Sequence, residues 1–275
     1  MRRERRRGGG SQPSVTPVGA RPPTDWLPFL LELADRADAI ALRWFRAAEL
    51  RVTAKPDQSP VTEADQAIEA MARALVRERH PKLGVLGEEQ GEAGGDGARL
   101  IIDPIDGTRN FVRGIPVFAT LLAIEVAGEV VAGVASAPAL HARWHAARGA
   151  GAFRNHRRLH VSRVQTLADA LVLHGNLGTE EGGPPPGIQR LLGRAGHSRG
   201  FGDFYQHVLV AEGAGDIAID PAMHPWDIAP LQVIVEEAGG TATSVRGERS
   251  IYATSLVSSN GMLHEAALTA LRLSG

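Results

Sequence analysis

The run Leu100-Ile101-Ile102-Asp103-Pro104-Ile105-Asp106-Gly107-Thr108 constrains this chain more than any other. An apolar strand leads straight into two aspartates three residues apart. A strand end presents side chains at a sheet edge, where functional sites collect. Pro104 stiffens the turn so that both carboxylates converge on one point. Gly107 lets the backbone approach a ligand closely. A helical turn beginning here would offer free N–H groups to an anion such as phosphate. The same text also reads as an ordinary Asp-Pro/Asp-Gly turn, and alone it leaves both readings open.

Other carboxylates narrow the choice. Glu88 follows the apolar run Leu83 to Leu86, so it too sits at a strand end. Asp227 follows Trp226 at the start of a helical pattern, where an isolated acid also serves as a cap or first-turn charge. Asp65 closes a variant capping box with Thr62. Together these five acids at element ends fit a site for hard divalent cations. Mg²⁺ prefers oxygen ligands in an octahedral set and keeps several waters. Without metal, such a cluster would repel itself and raise its own pKa values.

Composition removes competing chemistries. The 275 residues include no cysteine, so disulfides, thiolate zinc sites, iron–sulfur clusters and cysteine nucleophiles are excluded. No stretch of about 20 apolar residues exists, so no membrane span is expected. The formal charge of −1 argues against a dedicated nucleic-acid binder. That charge hides a split. Residues 1–24 hold six arginines and Glu4, for +5, leaving −6 on the rest. This Gly/Pro/Ser/Arg-rich tail lacks apolar periodicity and reads as disordered. It has no apolar segment behind its arginines, so no secretory or twin-arginine signal is expected in it. Gly178 to Gly187 reads as a surface loop.

The 43% hydrophobic content supports a sizeable core, as one large domain or two subdomains. Trp26 to Trp44 and Ala64 to Leu75 show helical spacing. Val117 to Ala127 and Val130 to Ala137 flank Gly128-Glu129 as a β-hairpin, and Arg143 to Ala147 adds a strand. Beyond residue 155 strands and helices alternate: Leu171–Leu173, Phe204–Glu212, Asp216–Ile219, Trp226–Ala238, Leu256–Ser258 and Leu263–Leu273. The expected organisation is a tail (1–24), an N-terminal α+β subdomain (25–154) and a C-terminal α/β subdomain (155–275). His141 and His145 stand four apart, but no third zinc ligand is placed beside them. No P-loop and no Gly-x-Ser-x-Gly nucleophile elbow occurs.

Glu88-Glu89, Asp103-Pro104-Ile105-Asp106-Gly107-Thr108, and Trp226-Asp227 with Ala238-Gly239-Gly240 behind it resemble the inositol monophosphatase superfamily, over about residues 26–272. Gly107 to Pro116 and Gly200-Phe201-Gly202-Asp203-Phe204-Tyr205 are most similar to the histidinol-phosphate phosphatases of that fold. The resemblance implies an α/β/α/β/α layered sandwich of the inositol monophosphatase / fructose bisphosphatase type. It also implies a cytoplasmic, commonly homodimeric phosphomonoesterase with two or three Mg²⁺ ions, Mn²⁺ being a substitute. Glu88, Asp103 and the Ile105 carbonyl would hold one ion. Asp103, Asp106 and Asp227 would hold a second, and Asp65 with Glu88 would reach a third. Thr108 and Asp65 would orient or deprotonate the attacking water, and the N–H groups of Gly107 and Thr108 would hold phosphate. Lys55 matches a loop lysine near this site.

A phosphomonoester is anionic and resists attack by water, so charge neutralisation and a lowered water pKa are what metal ions supply. Histidinol phosphate carries a cationic ammonium and a protonatable imidazole, so its pocket needs acids beyond the metal ligands. Asp203 and Asp220 are the candidates, with Arg109 on the phosphate side and Arg113 unassigned. The other readings are an inositol monophosphatase, nucleotide 3′-phosphatase or fructose bisphosphatase, and, from another class, a non-catalytic binding protein.

Overall fold

A computed structural model describes residues 21–55, 59–95, 97–176 and 185–272. Most of the arginine-rich tail, residues 1–20, and residues 178–184 of the expected surface loop therefore lie outside the described residues. Arg21 onward is already structured. The Arg21 guanidinium lies 5.1 Å from the Trp26 ring, and a 3-10 turn at Pro23–Trp26 leads into the first helix.

The elements of the first half are α1 (Leu27–Trp44), β1 (Val52–Ala54), β2 (Pro60–Thr62), α2 (Glu63–Arg79), β3 (Gly84–Gly87), β4 (Gly91–Ala93), β5 (Ala98–Asp106), α3 (Thr108–Val112), β6 (Ala119–Val126), β7 (Glu129–Ala137), β8 (Ala142–Ala147), β9 (Gly151–Arg154) and β10 (Arg157–Arg158). The second half continues with β11 (Leu171–His174), α4 (Pro186–Arg194), β12 (His197–Gly200), α5 (Asp203–Ala211), β13 (Ile217–Asp220), α6 (Pro225–Glu237), β14 (Thr241–Thr243), β15 (Leu256–Ser259) and α7 (His264–Arg272). An eight-stranded sheet has the order β10-β9-β8-β7-β6-β5-β3-β4, and a five-stranded sheet the order β12-β11-β13-β15-β14.

Side chains on β5 show how the layers form. Leu100 and Ile102 point to one face of the large sheet, into a core shared with Leu30, Leu33 and Ile68 of α1 and α2. Ile101, between them, points to the other face, among Phe204, Val208, Ile228 and Leu231 of α5 and α6. All three are fully buried, each contributing about 1.5–3 kcal/mol. The small sheet packs Val172, Ile217, Ile219 and Val257 against Ile188, Leu191 and Leu268 of α4 and α7. The result is an α/β/α/β/α sandwich: α1 and α2, the large sheet, α5 and α6, the small sheet, then α4 and α7.

The main difference from expectation lies at Pro104. The chain does not turn at Pro104 between the two acids; the strand runs on through Asp106. Asp103 pairs with Leu121 and Asp106 with Ala119, so three steps on β5 match two on β6. In a regular strand, residues three apart face opposite sides. This bulge brings both aspartates to the face of Leu121 and Ala119, toward α5 and α6. Pro104 suits the bulge because it has no N–H to leave unpaired, and its carbonyl accepts from Thr120 Oγ1 at 2.8 Å.

Two smaller differences follow from local chemistry. Pro186 and Gly187, expected in the surface loop, are the first turn of α4, since proline is preset for that position. His141 sits at a left-handed position (φ 51°) just before β8, so it does not share a strand face with His145.

Candidate active site

Three chain segments, at the ends of β3 and β5 and the start of α6, deliver acids to one place. β3 runs parallel to β5 with Gly87 beside Ile102, and Glu88 N–H donates to the Ile102 carbonyl at 3.2 Å. Glu88 therefore emerges next to Asp103, within hydrogen-bond reach of its carboxyl. Asp227 arrives from the first turn of α6, where its Oδ2 accepts from His224 N–H at 2.8 Å. Asp106 Oδ2 accepts from Phe204 N–H, in the first turn of α5, at 2.6 Å. The amino ends of α5 and α6 thus both serve this cluster, and their dipoles favour negative charge there.

One carboxylate oxygen each from Asp103, Asp106 and Asp227 lies within 4.8 Å of the others. The cluster is electrostatically expensive. Asp103 and Asp106 are pushed well above the usual carboxylate range, first by burial. Asp103 is also repelled by Glu88 and Asp106, and Asp106 by Asp203 and Asp227. Asp227 is pushed up to about 7, by burial first and then against the opposing His224 N–H bond.

Asp65 stands close enough to Glu89 and Glu88 for both to repel it. Its Oδ2 accepts from Thr62 N–H at 2.8 Å and from Thr62 Oγ1 at 2.5 Å, closing the expected capping box. Its Oδ1 is buried and has no partner. Burial raises the group to about 7. Asp103 Oδ1 is likewise buried and unpartnered. Two orphaned carboxylate oxygens in an all-oxygen cluster, with repulsion that only added positive charge relieves, fit hard divalent cations.

Lys55 has a definite place here. Its Nζ lies 2.7 Å from both Glu88 Oε1 and Glu89 Oε1. Burial lowers its ammonium pKa, but the two glutamates outweigh that and leave it raised. The Thr108 hydroxyl donates to the Ile105 carbonyl at 2.9 Å, which leaves its oxygen free to accept. Gly107 caps α3 at φ 81°, a left-handed conformation that glycine adopts freely. A Cβ there would sit 3.1 Å from the Val117 carbonyl and 3.3 Å from Asp203 Oδ2.

A cleft of about 420 Å³ opens over Glu88, Gly107, Thr108, Arg109, Phe201 and Asp203. Asp203 is the first residue of α5 rather than its cap, in a left-handed conformation (φ 53°). Its Oδ2 accepts from Asn110 Nδ2 at 3.1 Å, and Asn110 also donates to the Val117 carbonyl at 2.9 Å. Burial raises the Asp203 carboxyl, opposed by the Arg109 guanidinium. Asp220, at the end of β13, is raised to about 6, first by burial, against a hydrogen bond from Ala222 N–H and with Asp203 repelling it. Arg109 is exposed and lines the cleft, whereas Arg113 is exposed beyond α3 and does not line it. Asn110 and the Phe204 N–H were not legible in the sequence, because their partners lie 93 and 98 residues away.

Known proteins share this arrangement of chain. The model of the inositol monophosphatase family matches residues 23–274. A histidinol-phosphatase of Mycobacterium tuberculosis is 45% identical over 258 residues, covering 90% of this chain and 98% of the relative. A histidinol-phosphatase of Streptomyces coelicolor is 44% identical, covering 86% and 92%. The crystal structure of the extragenic suppressor protein suhB of Bartonella henselae superimposes with a TM-score of 0.85 at 29% identity, covering 91% of this chain and all of that one. Motif, fold and near full-length similarity agree: the chain belongs to the inositol monophosphatase family.

Proposed function

We propose that this chain is a Mg²⁺-dependent phosphomonoesterase that hydrolyses L-histidinol phosphate to L-histidinol and phosphate. The observation that carries the reading is the carboxylate group Asp103, Asp106 and Asp227, drawn within 4.8 Å, with Asp203 and Asp220 close enough to repel Asp106. The first three, with Glu88 and the Ile105 carbonyl, would hold the metal, and Asp65 would reach a further ion. The last two acids exceed what metal binding needs. They suit a substrate whose alcohol part is cationic, and the 45% and 44% identical histidinol-phosphatases support that choice.

Divalent ions bound there would neutralise the phosphate oxygens and lower the pKa of the attacking water. The chain's own groups do the rest. Asp65 has one oxygen fixed by Thr62 and the other unpartnered. With Oδ2 held by Thr62, the unpartnered Oδ1 is the oxygen that takes a proton from the attacking water. Thr108 gives its proton to the Ile105 carbonyl, so its hydroxyl oxygen accepts from the same water and orients it. The N–H groups of Gly107 and Thr108, at the start of α3, would donate to phosphate. Arg109 adds positive charge at the exposed rim.

Steady-state phosphate release tests the reading, with L-histidinol phosphate and inositol 1-phosphate compared in Mg²⁺ and in EDTA. The expected result is a higher kcat/KM for histidinol phosphate and loss of turnover in EDTA. Equal or reversed preference would overturn the substrate. Turnover undiminished in EDTA would overturn the metal.

A further inference from the structure

Phe201 lies in the cleft with nearly half its surface (46%) exposed. Among the described residues lining that cleft it is the aromatic one; the others are polar, charged, glycine or proline. Leaving phenylalanine surface in water forgoes part of the free energy its burial would give. Its position is nonetheless held firmly. Phe201 N–H and Gly202 N–H both donate to the His174 carbonyl, at 2.9 and 3.2 Å. Gly202 takes a left-handed φ of 76°, and a Cβ on Gly200 would press on the His174 ring at 3.3 Å. The Phe201 ring stands edge-on to Tyr205 at 5.6 Å, and Tyr205 stands edge-on to the fully buried Trp144 at 6.4 Å. A relay of rings anchored in the core therefore fixes an aromatic group in the cleft. Two residues on, Asp203 contributes a carboxylate to the same cleft.

We propose that Phe201 is a specificity-determining residue: its exposed ring is the stacking platform for a planar, N–H-bearing heteroaromatic group on the substrate's alcohol, with the Asp203 carboxylate accepting from that group's N–H. This deepens, and rests on, the histidinol phosphate reading. An imidazole gains offset stacking from the ring, and cation–π attraction when protonated. A polyol's hydroxyls find no hydrogen-bond partner on a phenyl face. Asn110 supports the pair by holding Asp203 Oδ2 at 3.1 Å.

The test uses the full chain and two variants, Phe201→Leu and Phe201→Trp, each checked for an unchanged Tm. Kinetics on L-histidinol phosphate and inositol 1-phosphate are read beside calorimetric titration with L-histidinol. Phe201→Leu should lower kcat/KM for histidinol phosphate and weaken L-histidinol binding by about two- to tenfold. Phe201→Trp should stay near wild type in both, and inositol 1-phosphate turnover should fall less than histidinol phosphate turnover in Phe201→Leu. An unaltered histidinol phosphate kcat/KM in Phe201→Leu, or an equal fall on both substrates, overturns the proposal. Failure of the wild type to bind L-histidinol overturns it as well. Wild-type preference for inositol 1-phosphate would instead overturn the substrate reading. Phe201-dependent binding of L-histidinol would then still uphold the subsite.

Discussion

Replacing Asp227 by asparagine should stabilise the metal-free protein and disable the enzyme. In the metal-free fold the Asp227 carboxyl is pushed to about 7, first by burial and further by Glu88. Its ordinary value is 3.8. Below about pH 3.8 folded and unfolded chains both hold this proton and the group costs nothing. From there to pH 7 the unfolded chain releases the proton first, and folding loses about 1.4 kcal/mol per pH unit. At pH 8 the full penalty is in place, up to about 4 kcal/mol for the 3.2-unit gap. Asparagine removes the charge while its amide oxygen still accepts from His224 N–H, so the capping interaction is weakened rather than lost. The forfeited charge–dipole attraction is worth about 0.3–1 kcal/mol.

The net gain is about 3 kcal/mol, or roughly 6–12 °C in Tm for a chain of this size. Thermal and urea denaturation at pH 8 and pH 5, in EDTA and in Mg²⁺, read it directly. In EDTA the variant should melt higher than wild type at pH 8, and the difference should shrink at pH 5. Adding Mg²⁺ should raise the wild-type Tm, as any ligand selective for the folded state does, and leave the variant nearly unmoved. Phosphate release should fall by about a hundredfold or more, since losing even an outer-sphere partner costs tenfold to a hundredfold. A variant less stable than wild type in EDTA at pH 8 would refute the electrostatic account. A variant stabilised by Mg²⁺ as much as wild type would refute the ligand assignment.

Gly107→Ala should cost about 1–2 kcal/mol from the left-handed backbone alone. It should also depress kcat/KM, because the new methyl meets the Val117 carbonyl and the Asp203 carboxylate; denaturation and kinetics on one preparation check both. His207 is buried against Ser258 and held neutral by burial, down to about 3. The unfolded histidine therefore takes a proton first as pH falls below 6.5, and stability drops by about 1.4 kcal/mol per unit until pH 3. His207→Gln should flatten that acid limb in urea titrations between pH 6 and 4; an unchanged slope would assign the acid sensitivity elsewhere.

How much the sequence revealed depended on whether a signal was local. The amphipathic helices α1 and α2, the β6–β7 hairpin and the Thr62–Asp65 cap rest on neighbours a few residues apart, and they fold as their spacing predicts. β1, β4 and β12 are short and largely exposed, so no apolar alternation marks them. The bulge at Pro104 was legible as two acids and a proline, but not as a register, because it exists only against β6. Asn110 and Asp203 meet across the two halves of the chain, with nothing in either segment naming the other.

The helix-start acids carry a further point. Capping and chemistry compete as explanations of an aspartate only if the residue has one acceptor, and a carboxylate has two. Asp65 closes its helix with Oδ2 and keeps Oδ1 buried and unpartnered. Asp227 accepts from His224 N–H at Oδ2, and Asp106 accepts from Phe204 N–H at Oδ2, while both stand in the carboxylate cluster. The bonds that start α2, α5 and α6 therefore also fix the orientation of three site carboxylates. This rigidity lets acids with raised pKa values stay together before any cation arrives. It also makes capping and catalytic roles inseparable by alanine substitution and separable by asparagine, which keeps the acceptor and removes the charge.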